Sequence, residues 1–210
     1  MTYILDLDHT LLDTNAFKRA LEASLAPLGV SREQFQETYA ATVSAVEGHY
    51  DYTIAGHAKQ LASVCHIEES EAMTNLAGAL DQLPRFLYPD SLPFLTAIQT
   101  RGLPCVLLTF GNALFQEEKV RRLGIAHFFD KLIFTEERKD RISFSFSDDE
   151  REWVFVNDNP IEIHALAERF PQARMIRIQR PGAKTFSVEA DVLELVKYSS
   201  LSEVEVLLIK

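Results

Sequence analysis

The residues best suited to chemistry follow an apolar run near the start of the chain. Tyr3, Ile4 and Leu5 lead into Asp6, then Asp8 and Thr10, with Asp13 a little further on. Two carboxylates this close repel, unless they share a cation or one of them is protonated. Further polar groups also stand at the ends of apolar runs: Thr109-Phe110-Gly111-Asn112 after "PCVLL", Lys139 beyond "KLIFT", and Asp158 with Glu162 at and after the end of "WVFVND". Taken in order, these are the parts needed for phosphoryl transfer. One carboxylate can attack and another can move protons, while a hydroxyl and turn amides hold anionic oxygens and a lysine adds positive charge. A hard divalent cation would relieve the repulsion. Magnesium accepts one or two carboxylates together with waters and a phosphate.

Groups so far apart in sequence need a scaffold that gathers them. Continuous apolar runs at 2–6, 104–109, 131–135, 153–158 and 173–178 predict strands buried on both faces. Helical patterns lie between most of them. Ser91 is placed to cap a helix carrying Leu92, Leu95 and Ile98. Asn112 is placed to cap one carrying Phe115 and Leu123, with Gly124 ending it, and Ile161, Leu166 and Phe170 mark another. Alternating strands and helices predict an α/β fold, a Rossmann-like parallel sheet with helices on both faces. In such sheets ligands bind beyond the carboxyl ends of the strands, where the polar groups stand.

One interval is too long for a simple crossover. Residues 15–88 carry helical stripes: Phe17, Leu21, Leu25 and Leu28, then Phe35, Tyr39, Val43 and Val46 behind a Ser31/Gln34 capping box, then Leu76, Leu80 and Leu83. The expected organisation is a core domain, 1–14 and 89–210, with a small helical domain, 15–88, inserted after the acidic strand end.

Composition narrows the partners. With 210 residues, a net charge of −10 and a pI near 5.1, the chain is a poor match for nucleic acid or an anionic membrane. No apolar stretch approaches the roughly 20 residues of a membrane span, and "TYILDLD" shows neither a basic leader nor a cleavage site. Cys65 and Cys105 are too few for a disulfide framework or a zinc site, so reduced thiols and a cytoplasmic location are expected. Oligomeric state is left open.

"DLDHT" at 6–10, "LLTFGN" at 107–112, Lys139 and "VNDNPIE" at 156–162 together resemble the four motifs of the haloacid dehalogenase-like hydrolase superfamily. The helical insertion matches the position of that family's cap. The resemblance implies that Asp6 attacks phosphorus, Asp8 moves protons and Thr109 holds phosphoryl oxygens with the turn Phe110, Gly111 and Asn112. It also implies that Lys139 neutralises charge beside Asp6. Magnesium would be held by the Asp6 carboxylate, the Asp8 main-chain carbonyl and Asp158, with Glu162 acting indirectly or through a water. An acid at Asp8 favours phosphate chemistry over carbon–halogen cleavage. The resulting expectation is a magnesium-dependent phosphatase acting on a small phosphorylated metabolite. Alternatives on the same fold are a phosphotransferase or mutase, and a binding or regulatory protein with little turnover.

The segment "DRISFSFSDDERE" after Lys139 is short for the usual motif, which leaves Lys119 and Lys131 as alternative lysines. Ile142, Phe144 and Phe146 alternate as a short strand would. Strand alternation points His9 away from the two aspartates. "HYDY" at 49–52 reads either as a specificity surface or as an interhelical loop. "RIQRPGAK" at 177–184 reads either as a solvated loop or as a basic patch attracting anions. Asp13 reads as a helix cap or hinge residue, not a metal ligand.

Overall fold

The computed structural model describes residues 1–43, 52–143, 149–181 and 197–205. In chain order the elements are β1 (Thr2–Leu5), α1 (Thr14–Leu25), α2 (Arg32–Val43), α3 (Ile54–Cys65), α4 (Glu69–Leu80), α5 (Ser91–Thr100), β2 (Cys105–Phe110), α6 (Ala113–Leu123), β3 (Lys131–Thr135), β4 (Trp153–Asn157), α7 (Pro160–Arg169), β5 (Arg174–Ile178), β6 (Lys197–Tyr198) and α8 (Leu201–Glu205). The strands form one parallel sheet in the order β3-β2-β1-β4-β5-β6. The strand order reverses beside β1, which places its carboxyl end at the switch point where such sheets bind ligands.

The strands read as unbroken apolar runs because each face has its own core. Tyr3, Leu5, Cys105, Leu107, Val154 and Val156 face one cluster, which continues into the helical insertion. Ile4, Val106, Leu108, Trp153 and Phe155 face the other, closed by Leu166 and Phe170 of and after α7. Phe155 and Phe170 stack there with centroids 5.7 Å apart. Burying one such leucine or phenylalanine is worth about 2 kcal/mol, so the alternation fixes strand register firmly.

After Leu5 the chain leaves the sheet in a tight turn. The Leu7 carbonyl accepts from the amides of Thr10, Leu11 and Leu12. Leu7, Leu11 and Leu12 are fully buried, and they pin this turn to the core between and behind the acids. His9 takes a left-handed backbone, with φ 58°. The strand alternation used to orient His9 therefore does not apply, because β1 ends at Leu5. Asp13 caps α1 by accepting from the Ala16 amide at 2.8 Å.

Helices α1 to α4 lie between β1 and β2 and pack chiefly on one another. The Ser31/Gln34 capping box forms in both directions, at 2.8 and 3.2 Å. Phe17, Leu21, Leu25, Phe35, Leu76 and Leu80 face the shared core as their spacing predicts. Val46 and residues 49–51 of "HYDY" fall outside the described residues.

Several local expectations are corrected. Ser91 is the first residue of α5, not its cap, and its hydroxyl donates to the Leu11 carbonyl at 2.7 Å. Leu92 and Ile161 are exposed, and Leu95, Ile98, Ile163 and Leu166 do the packing instead. Strand β6 and helix α8 carry no strong apolar run and were not anticipated. The alternating strand expected at Ile142, Phe144 and Phe146 lies mostly outside the described residues. In "RIQRPGAK", Lys184 falls outside the described residues, and Arg180 is no free basic patch. It is buried in a two-toothed ion pair with Asp90, at 2.7 and 2.9 Å, and donates to the Thr10 carbonyl at 2.7 Å.

Candidate active site

Strand register brings the predicted groups to one end of the sheet. Leu5 of β1 is level with Leu107 of β2 and Val156 of β4. Asp6 therefore emerges between Thr109 on one side and Asp158 on the other. The Asp6 amide donates to the Val156 carbonyl at 2.9 Å, which fixes its backbone to β4.

Lys139 reaches this centre. Its ammonium lies 2.5 Å from Asp6 Oδ1 and 2.7 Å from Glu162 Oε2, and it is buried. Burial works against that charge, yet Asp6 and Glu162 hold Lys139 protonated above its ordinary range. Lys131 stands exposed at the start of β3. Glu162 is committed elsewhere than to a metal. Beyond Lys139, it accepts from Asn157 Nδ2 at 2.8 Å and Asn159 Nδ2 at 3.1 Å. Burial opposes its ionisation, but Lys139 and these amides keep its carboxyl below the usual range.

The two motif aspartates are held very differently. Among the described residues, Asp6 Oδ2 has only a long contact, 3.4 Å, from the Thr10 hydroxyl. Burial, opposed by Lys139, leaves the Asp6 carboxyl raised to about 6. Asp8 is clamped from several sides. Lys119 contacts both its oxygens, at 2.7 and 2.6 Å, Gln116 Nε2 donates to Oδ2 at 3.0 Å and the Thr14 hydroxyl to Oδ1 at 2.6 Å. Burial is overcome by Lys119 and the other donors, which hold Asp8 down to about 2.

The sequence carries a signal for this second lysine pairing. Gln116, Lys119, Val120 and Leu123 form the buried i, i+3, i+4, i+7 face of α6. Two long polar residues on a helix's inward stripe require partners, and Asp8 is one.

The glycine turn differs from the cradle predicted. Gly111 has φ 136°, a backbone that favours glycine, and its amide donates to the Thr135 carbonyl at 2.9 Å. The Phe110 carbonyl accepts from Gln116 at 2.8 Å, and Asn112 Oδ1 caps α6 at the Phe115 amide. These commitments take the Gly111 amide and the Asn112 Oδ1 atom away from a ligand. The Thr109 hydroxyl is different: it is buried and has no partner among the described residues. A buried hydroxyl left unpaired at a strand end is an opening for an anionic oxygen.

Asp158 carries the strain of the crowding. Burial, then repulsion from Asp6, pushes its carboxyl up to about 8. Lys139 is shared between Asp6 and Glu162, and Lys119 is paired with Asp8. No three His, Cys, Asp or Glu side chains gather as a metal cluster among the described residues. The donors that the sequence resemblance implies are the Asp6 and Asp158 carboxylates and the Asp8 carbonyl, an all-oxygen set. That donor set suits a hydrated magnesium ion, and a cation there would relieve Asp158.

Comparisons with known proteins identify the family and the fold. The haloacid dehalogenase-like hydrolase family matches residues 1–176. The glyceraldehyde 3-phosphate phosphatase of Methanothermobacter thermautotrophicus is 28% identical over 142 residues, 63% of this chain and 61% of that protein. The chain thus spans less than two thirds of that relative. A structure from Burkholderia xenovorans LB400, classed with the haloacid dehalogenase-like hydrolases, superposes with a TM-score of 0.73 at 15% identity, covering 97% of this chain and 94% of the other. The Bacillus subtilis HAD-family protein YfnB, solved with bound magnesium, gives 0.65 at 15% identity over 100% and 98%. At these identities the structural likeness concerns the fold. No helix among the described residues is long and apolar enough to cross a membrane.

Proposed function

The chain belongs to the haloacid dehalogenase-like hydrolase family, and on that premise we propose that it is a magnesium-dependent phosphatase for a small phosphorylated metabolite. The observation that carries this reading is the asymmetry between the two aspartates. Among the described residues Asp6 keeps one oxygen nearly free and the Thr109 hydroxyl is unpartnered, whereas both Asp8 oxygens are occupied. A nucleophile needs an available lone pair, and Asp6 has one.

In this reading Asp6 attacks phosphorus and Thr109 donates to a phosphoryl oxygen. Lys139 keeps Asp6 ionised and oriented, and Glu162 fixes Lys139 in turn. Asp8, ionised before substrate binds, relays a proton from the substrate's phosphoryl hydroxyl to the leaving oxygen and later takes one from water. Magnesium would rest on the Asp6 carboxylate, the Asp8 carbonyl and Asp158, where it would offset negative charge on the phosphoryl oxygens. Helices α1 to α4, expected as the separate domain 15–88, would cover the site and exclude water. The relative named for glyceraldehyde 3-phosphate makes triose phosphates the first substrates to try.

A panel of phosphate esters, run with magnesium and with a chelator, tests the reading beside Asp6→Asn. Turnover should require magnesium and disappear in Asp6→Asn. Hydrolysis that survives Asp6→Asn, or no hydrolysis of any ester, would overturn it.

A further inference from the structure

We propose that Lys119 is a positioning residue which, together with Gln116, aims the Asp8 carboxyl group at the oxygen of the departing alcohol. The inference rests on the phosphatase reading and deepens it. Lys119 is almost fully enclosed, and Asp8 is the carboxylate it pairs with among the described residues. Burying an ammonium costs several kcal/mol, and an apolar residue would have packed α6 without that cost, as Val120 and Leu123 do. The expense is explained if Asp8 must be held in one place.

The clamp is built for aim. Lys119 and Gln116 are separated by one helical turn and reach the same carboxylate, which is 111 residues from Lys119. Gln116 Nε2 also donates to the Phe110 carbonyl, so the clamp is tied to the end of β2 and through it to Thr109. The same helix carries Phe115, whose ring meets Tyr52 of the helical insertion edge-on at 5.0 Å. The groups that hold Asp8 therefore sit on the element touched by the insertion.

In the step served, an Asp6 oxygen forms a bond to phosphorus while the bond from phosphorus to the alkoxy oxygen breaks. Asp8 is ionised beforehand and gains a proton from the phosphoryl hydroxyl of the substrate, which binds as the monoanion. The breaking bond's electron pair goes to the alkoxy oxygen, which takes that proton from Asp8, leaving aspartyl-phosphate, free alcohol and the Asp8 carboxylate. A leaving group that is already acidic needs little of this help, and an alkyl alcohol needs most of it.

The test is the ratio of kcat/KM for an alkyl phosphate to that for p-nitrophenyl phosphate. Lys119→Met should lower this ratio by about 10- to 100-fold, a fraction of the usual contribution of a general acid. Lys119→Arg should recover part of it, and Gln116→Leu should lower it less. A role confined to packing would slow both esters by the same factor, and that result in folded protein overturns the proposal. If Lys119→Met does not fold, Gln116→Leu and Lys119→Arg decide by the same ratio. Wild-type protein that hydrolyses neither ester overturns the phosphatase reading and this inference with it. Turnover with an unchanged ratio overturns the inference alone.

Discussion

In the helical insertion, the His57 ring is buried between Thr38 and Tyr52; at the end of the sheet, four carboxylates crowd around two lysines. The first cluster closes on itself. The Thr38 hydroxyl donates to the Gln34 carbonyl at 2.7 Å, so its oxygen accepts from His57 Nε2 at 3.1 Å. His57 Nδ1 is then the lone-pair side and accepts from the Tyr52 hydroxyl at 3.0 Å. Both ring nitrogens are spent and the ring is neutral. Among the described residues the second cluster does not close: Thr109 Oγ1 has no partner, Asp6 Oδ2 has only a weak one, and Asp158 is pushed up toward neutrality. Buried polar groups that satisfy one another are structural, while those left incomplete mark where a ligand belongs.

The largest expected effect breaks the open cluster chemically. Asp6→Asn should reduce kcat by on the order of 10⁴-fold, measured by steady-state hydrolysis, with little change in fold by circular dichroism. Next comes stability. Lys139→Met leaves Asp6 and Glu162 buried without their cation and should cost about 3–5 kcal/mol in urea unfolding. Lys119→Met should cost less, because Asp8 retains Thr14 and Gln116 and its side chain is 26% exposed. The reverse order would mean that the two ion pairs have been ranked wrongly.

The closed cluster has its own signature in acid. Burial, helped by Lys18, lowers His57 from 6.5 to about 4. The unfolded chain therefore binds a proton first, and stability that is complete above pH 6.5 is lost as pH falls toward 4. The loss attributable to this residue is up to about 3 kcal/mol. His57→Gln, which does not titrate, should flatten that part of the profile relative to wild type; identical profiles would contradict the closed, neutral arrangement. The smallest effect concerns the turn between the aspartates. His9→Gly relieves a left-handed backbone and should raise stability by roughly 0.5–1 kcal/mol at the melting midpoint, less the entropy that glycine adds to the unfolded chain.

Much of this was legible in the sequence where burial dictates residue type. Apolar runs marked β1 to β5 because both sheet faces are covered, and Asp13, Asn112 and the Ser31/Gln34 pair signalled helix starts through their side-chain acceptors. Strand β6 is two residues long and gave no such pattern. Within the site, strand ends announced Asp6, Thr109 and Asp158, because a polar residue after a buried strand has to emerge at its end. Lys139 could not be separated from Lys119 and Lys131 by order alone, since loop length does not say where an ammonium lands. That Lys119 pairs with Asp8 is signalled only by its place as a polar residue on an inward helical stripe. Its partner, 111 residues away, required the fold.

The central claim is that Asp6 becomes covalently phosphorylated. Acid quenching during turnover of a good ester, followed by peptide mass spectrometry, measures this directly. The predicted result is one phosphoryl group on the peptide containing Asp6, absent from Asp6→Asn. A protein that turns over while Asp6 stays unmodified, or one that carries the phosphoryl group on Asp8 or Asp158, would contradict the account.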